Sequence, residues 1–278
     1  MNISEPVGHL QPIIKWAGGK KKLLDTLIPL IPDDYHRYLE PFIGGASVLL
    51  RLHPEHAIIN DINAELMNMY TVVMNNPDAL MDEISKYHNT KEEYYEIRAW
   101  DRKPGYASLN PIIRAARFIY LNHTCFNGLY RTNRKGYHNA SYGYYQQVTI
   151  CEPHVLTSLH DYLHGNDIRM MNGDYHDVLT LATPDDFVYL DPPYMARNDS
   201  ESFLRYDKQG FGVDQQKELK EACDDLNSRG VRFMQSNADT PMVNDMYRHY
   251  HVRHISTIRT ISNVSKAKKA TEVVITNY

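Results

Sequence analysis

The sequence predicts an α/β protein: a mostly parallel, doubly wound sheet interrupted by a largely helical, loop-rich insertion. Three observations carry this. Short apolar strand candidates alternate with amphipathic helices toward both ends of the chain. Several of those candidates end on an acid or a tight turn, at Glu40, Asp61, Asp174 and Asp191. The stretch from 63 to 165 is helical at first and then rich in Tyr, Asn, Gly and Arg. The expected division is therefore 1–62 and 166–278 for the sheet domain, with 63–165 inserted.

The elements follow in order. Residues 20–31 place Leu23, Leu24, Leu27, Ile28 and Ile31 at helical spacing, and Pro32 stops the run. Residues 38–40 are a short strand. The turn Pro41-Phe42-Ile43-Gly44-Gly45-Ala46-Ser47 then opens a helix through Leu52. Residues 57–60 form a second strand ending at Asp61. Helices are expected over 63–74, 78–87, 91–100 and 110–124, the last with basic Arg114 and Arg117. Residues 126–145 suit loops or a hairpin with exposed aromatics. A helix near 153–163 and a strand over 168–171 follow. The apolar run 187–190 reads as a buried strand, 213–228 as a helix, 231–235 as a strand and 241–250 as a helix. Residues 251–256 and 272–278 close the chain as a strand pair, joined by a basic loop with Lys266, Lys268 and Lys269.

With 278 residues, the chain can hold one large domain with an insertion or two small domains. The net charge is −4, so any polyanion must be held by local patches. Cys125, Cys151 and Cys223 are odd in number, and no CxxC occurs. A disulfide framework and a zinc-thiolate site are thus not expected. The 14 histidines form no metal-ligand pattern, and no metal is expected. No charged start with an apolar core and no long apolar run is present, so a reducing cytoplasm without membrane contact is the expectation. Twenty-one tyrosines supply rings that both stack and hydrogen-bond.

Asp191-Pro192-Pro193-Tyr194 follows the 187–190 strand. A carboxylate and a proline carbonyl can accept hydrogen bonds from one amino group, and the tyrosine can stack on its ring. The plain alternative is a proline-stiffened turn. The 41–47 turn lets backbone approach a ligand at a helix start, but it is not GxGxxG. Asp61 lies where an acid binds a ribose diol in such folds. Gly18-Gly19-Lys20 fails as a P-loop, because position 14 is Ile and Lys21 stands where Ser or Thr is needed. It is a flexible arm or a loop over a cofactor, with Trp16 for stacking and Lys20 for a carboxylate. Asp174 faces an adenine or caps the next helix. Arg131, Arg134 and Lys135 among tyrosines suit phosphate contacts with base stacking, or a solvated loop.

Taken in order, Lys15 to Lys20, Glu40 to Ser47, Asn60-Asp61-Ile62-Asn63, Phe126-Asn127-Gly128-Leu129-Tyr130-Arg131 and Asp191 to Tyr194 resemble the Dam-type (D12 class) DNA adenine-N6 methyltransferases over nearly the whole chain. The resemblance implies a Rossmann-like S-adenosyl-L-methionine (AdoMet) methyltransferase sheet with an inserted DNA-recognition domain. It implies AdoMet as methyl donor, no metal, and double-stranded DNA as partner. A cognate restriction endonuclease acting on the same site is a further partner it allows.

By the same resemblance, Asp191, Pro192, Pro193 and Tyr194 are catalytic. Trp16, Lys20, Phe42, Gly44, Asp61, Asp174 and Asp191 bind the cofactor. Lys15, Leu129 and Arg131 match positions that contact DNA. Asn139, Tyr145, Lys266 and Lys268 are further DNA-contact candidates, the two lysines in a loop that reads as a solvated charge run or, beside a substrate cleft, as a phosphate clamp. The family typically methylates the adenine of GATC. Here Ser141, Tyr144 and Gln146 stand where that family usually has proline, arginine and lysine, which removes two positive charges. Three other functions compete. They are an amino-group methyltransferase on RNA or protein glutamine, a catalytically silent AdoMet- and DNA-binding protein, and a nicotinamide oxidoreductase, the last weakened by the missing GxGxxG.

Overall fold

The computed structural model describes residues 10–194, 211–259 and 268–278. The strands are β1 (Tyr38–Glu40), β2 (His56–Asp61), β3 (Asp167–Asn172), β4 (Phe187–Leu190), β5 (Arg232–Ala238), β6 (His251–Arg259) and β7 (Lys268–Thr276). They form one seven-stranded sheet in the order β3-β2-β1-β4-β5-β7-β6. The helices are α1 (Leu24–Leu27), α2 (Leu49–Leu52), α3 (Ala64–Asn75), α4 (Pro77–Ile84), α5 (Lys91–Arg98), α6 (Pro111–Thr124), α7 (Pro153–Gly165), α8 (Tyr175–Leu179), α9 (Val213–Ser228) and α10 (Pro241–Met246). The fold is the mostly parallel, Rossmann-like α/β sheet that the alternation predicts. The chain divides into two compact units. The first is Met1–Lys21, Gly44–Glu55 and Asp61–Gly173; the second is Lys22–Ile43, His56–Asn60 and Asp174–Tyr278.

In the second unit, β1 pairs in parallel with β2 through Tyr38↔Ala57 and with β4 through Tyr38↔Phe187. β5 adds in parallel to β4, and the β6–β7 hairpin closes that side with β7 antiparallel to β5. The order reverses between β1 and β4, so the segments after Glu40 and after Leu190 leave the sheet side by side. That is where open α/β sheets place ligands. All four residues of β4 are buried, which explains their unbroken apolar run.

The first unit is built on helix packing. Asn63 caps α3 by accepting from the Glu65 and Leu66 amides at 3.1 and 3.2 Å. α3 then buries Leu66, Met67, Met69, Tyr70, Val72 and Val73, three- and four-residue spacings that give it a core-facing stripe. The predicted α6 forms with Arg117 inside it. Arg117 pairs with Asp101 at 2.9 Å and donates to the carbonyls of Ile97 and Arg98. These partners satisfy a guanidinium that is 4% exposed. Tyr94, Tyr120 and Tyr142 form a buried aromatic cluster beside it.

The 20–31 helix does not form as one element. Three-residue 3-10 turns at Lys20–Lys22 and Ile28–Leu30 flank the four-residue α1. Pro29, inside the run, has no amide to continue an α-helix and restricts the residue before it. α10 ends at Met246, four residues short of the expected 250. β6 and β7 are longer at the hairpin end than expected, because the two strands pair through Arg259↔Lys268. Lys268 and Lys269 thus belong to a strand, not to the basic loop the sequence predicts. No helix among the described residues is long and apolar enough to cross a membrane.

Candidate active site and nucleic-acid interface

The second unit carries the 191–194 segment. β1 ends on Glu40, which is buried and accepts from the Tyr38 hydroxyl at 2.8 Å. The following turn is tied to the end of β2. Asn60 Nδ2 donates to the Pro41 carbonyl at 3.0 Å, and the Ile43 amide donates to the Asn60 carbonyl at 2.9 Å. Phe42 packs on Tyr175 and Phe211, with ring centroids 5.0 and 5.9 Å away.

Beside that turn, β4 delivers Asp191. Pro192 is buried and Pro193 exposed. Tyr194 donates its hydroxyl to Glu272 Oε2 at 2.9 Å. Burial, with the Asp191 and Glu272 charges adding to it, drives the Tyr194 phenol well above its ordinary value. It therefore stays protonated and remains a donor, which fixes the ring. The segment offers a carboxylate, a proline carbonyl free of any amide on its own residue, and an oriented aromatic face.

Glu272 was not predicted as a functional residue. Its signal is a lone acid in the run Thr271-Glu272-Val273-Val274-Ile275, on a strand where it is only 7% exposed. Asp174, expected to face an adenine or to cap a helix, caps α8. It accepts from the His176 amide at 2.9 Å and lies 2.8 Å from the His176 ring. It is exposed.

The first unit carries the glycine turn and the N-terminal arm. A Cβ on Gly44 would lie 2.7 Å from the Trp16 indole, and one on Gly45 would lie 2.9 Å from Trp16 Cβ. Only glycine tolerates that approach at Gly44, where φ is also +46°. The Gly44 amide donates to Asp61 Oδ2 at 3.1 Å, and the Asn63 amide to Oδ1 at 2.9 Å. Tyr70 donates to the Gly44 carbonyl at 2.9 Å. Burial raises the Asp61 carboxyl, and the two amide donors oppose that rise. Each carboxylate oxygen keeps further lone-pair capacity for a diol. Trp16 stacks on Tyr130 at 5.7 Å. Lys20 is buried, with its ammonium 2.8 Å from the Gly18 carbonyl. The glycine cradle, the indole and the carboxylate fit an adenosyl group.

The same unit gathers most of the residues expected on DNA. Lys15 is exposed, with its ammonium 5.2 Å from the Tyr145 ring centroid. Leu129 and Phe126, three residues apart on this turn, are 41% and 52% exposed. Arg131 is exposed and engaged by Asn139: Nε donates to Oδ1 at 2.8 Å and a terminal nitrogen to the carbonyl at 3.2 Å. Tyr145 accepts at its hydroxyl from the Asn127 amide at 2.9 Å. Asn122, which carries no sequence motif, was missed; it bonds Lys15 and Gly128. Lys266 lies outside the described residues. Lys268 lies in β7, and its side chain is not described.

The model of the D12 class N6 adenine-specific DNA methyltransferases matches residues 16–261. Type II methyltransferase M1.LlaDCHI of Lactococcus lactis subsp. cremoris is 36% identical over 273 residues, covering 97% of this chain and 96% of the relative. Type II methyltransferase M.MjaIII of Methanocaldococcus jannaschii is 33% identical, covering 88% and 90%. The DNA adenine methylase of Escherichia coli (strain K12) is 30% identical, covering 84% and 83%.

Proposed function

The chain belongs to the D12 class of N6 adenine-specific DNA methyltransferases, and from that premise we propose that it methylates adenine N6 within a short duplex DNA sequence, using AdoMet. The observation that carries this reading is the intact Asp191-Pro192-Pro193-Tyr194 segment at the end of β4, with Tyr194 anchored to Glu272. AdoMet supplies an electrophilic methyl on a sulfonium sulfur. Trp16, Lys20, Phe42, Gly44, Asp61 and Asp174 are assigned to hold it. The hydroxyls of its ribose suit the lone pairs left on Asp61.

The target base is buried in a duplex, so it must be extruded before it can react. Tyr194 stacks on the extruded ring. Asp191 and the Pro192 carbonyl accept hydrogen bonds from N6, which hold the nitrogen lone pair in line for attack. Positioning and electrostatics then suffice. Lys15, Leu129, Arg131, Asn139 and Tyr145 are assigned to the DNA. Asn139 acts there by orienting the Arg131 guanidinium. The inserted segment 63–165 is assigned to target recognition, and GATC is the leading sequence. The type II relatives make a cognate endonuclease a candidate partner.

The test is expression in a host lacking adenine methylation, followed by single-molecule sequencing of its DNA. N6-methyladenine confined to one short motif supports the proposal, and GATC supports the finer assignment. Soluble protein that leaves adenine unmodified would refute it.

A further inference from the structure

Residues 141–147, Ser-Tyr-Gly-Tyr-Tyr-Gln-Gln, carry no charge. They are nonetheless built into the exposed edge that holds Phe126, Leu129 and Arg131. The Phe126 amide donates to the Ser141 carbonyl at 2.8 Å, and the Gly143 amide to the Thr124 carbonyl at 2.8 Å. The segment is also bound from its other side. Asn89 Nδ2 donates to the Tyr145 carbonyl at 2.8 Å, and the Tyr142 hydroxyl donates to Asn89 at 3.0 Å. Between these anchors Tyr144 turns outward. Its φ is +54°, in the left-handed region that a bulky residue rarely adopts, and its side chain is 65% exposed. Such strain is retained where the surroundings impose it, often at functional surfaces.

One cation answers this ring. Lys91, the first residue of α5, is exposed, and its ammonium lies 5.7 Å from the Tyr144 centroid. A helix N-terminus is the wrong end for a cation, because the helix dipole is positive there. The helix dipole therefore does not hold the lysine there. Of the two acids beside it, Glu93 is engaged by His88, through the His88 amide at 3.0 Å and the ring at 3.4 Å. Glu92 is exposed; contact with Tyr144 first, and the Glu92 charge well after it, raises the Lys91 pKa. Lys15 over Tyr145 repeats the arrangement one residue on. Two adjacent tyrosines therefore each carry a lysine contributed by a different part of the first unit.

We propose that Lys91, positioned by the Tyr144 ring, is a phosphate-contacting residue for duplex DNA, supplying from α5 the positive charge that residues 141–147 lack. The proposal rests on the DNA-methyltransferase reading above. Arg131 and Leu129 are assigned to the bases by that reading; Lys91 contributes affinity without sequence preference.

The experiment measures binding of short labelled duplexes, one containing GATC and one scrambled, between about 50 and 200 mM salt. Each phosphate contact contributes about 0.9 to the slope of log K against log salt. Lys91→Ala is expected to reduce that slope by about one contact on both duplexes. The ratio of wild-type to variant affinity then shrinks about threefold across the range. Lys91→Arg should keep the wild-type slope. Tyr144→Ala should lose part of it, and Tyr144→Phe, which keeps the ring face and lacks only the hydroxyl that meets Lys91, should lose less. Adding Tyr144→Arg to Lys91→Ala should restore it. A Lys91→Ala slope equal to that of the wild type would overturn the proposal while leaving the enzyme reading intact. Wild-type protein with no salt-dependent DNA binding would overturn both.

Discussion

Asn122 holds Lys15 by both of that residue's backbone polar groups. Its Oδ1 accepts from the Lys15 amide at 2.8 Å, and its Nδ2 donates to the Lys15 carbonyl at 2.7 Å. The same Nδ2 reaches the Gly128 carbonyl at 3.2 Å. One buried side chain of α6 thereby fixes the arm that carries Trp16 to the turn that carries Phe126. A Cβ at Gly128 would lie 2.6 Å from the Lys15 side chain, so the two segments are in close contact there.

Asn122→Ala should therefore destabilise the protein by about 1–3 kcal/mol, since it strips partners from backbone groups that are partly shielded from water. Asn122→Asp, although closer in shape, should be at least as damaging, because it turns a carboxylate oxygen toward two carbonyls. Thermal unfolding followed by circular dichroism checks both. An Asp variant as stable as the wild type would contradict the clamp.

Gly44→Ala places a methyl 2.7 Å from the indole at a positive φ. Backbone strain alone is about 1–2 kcal/mol, and Trp16 must shift as well. AdoMet affinity is expected to fall about tenfold or more, equivalent to about 1.4 kcal/mol. Calorimetric titration measures it, and an unchanged Kd would remove Trp16 from the cofactor site.

Asp191→Ala should keep DNA binding and lower kcat by about a hundredfold or more, the scale seen when one preorganised polar group is lost. Tyr194→Phe should cost less, because it keeps the stacking face while losing the 2.9 Å bond to Glu272. Glu272→Gln, whose amide oxygen can still accept from Tyr194, should be the mildest. Single-turnover rates on a methylatable duplex rank the three. A different order would separate Glu272 from the positioning of Tyr194.

His138 gives the pH dependence a direction. It is buried, neither ring nitrogen has a hydrogen-bond partner among the described residues, and it lines a cavity of about 200 Å³ with Arg117 and Asp101. Burial first, and then the guanidiniums of Arg117, Arg98, Arg102 and Arg131, lower its pKa to about 3. Below the unfolded value of about 6.5 the unfolded chain binds a proton that the folded protein refuses. Stability should fall as pH drops from 6.5 toward 3, by at most about 1.4 kcal/mol per unit from this group. His138→Phe should flatten that limb in denaturant titrations across the window. An acid limb unchanged in the variant would show that other groups carry it.

Much of the sheet was legible because its signals are local. The all-apolar β4, the helix α3 and the apolar helix α6 are set by spacing and by neighbours within a few residues. The motif residues at Asp61 and 191–194 were legible because tight turns after strands need particular residue types. Apolar spacing alone does not predict the break at 20–31, because Pro29 interrupts the helix within that spacing.

What only the tertiary structure decided are the pairings between distant residues. Tyr194 and Glu272 are 78 positions apart, Lys15 and Asn122 are 107, and Lys91 and Tyr144 are 53. No periodicity links such partners, because each pairing exists only once chain closure and core packing have met its entropic cost. The sequence by itself determined which residue types were available for the chemistry. The tertiary structure determined which of them hold one another in place.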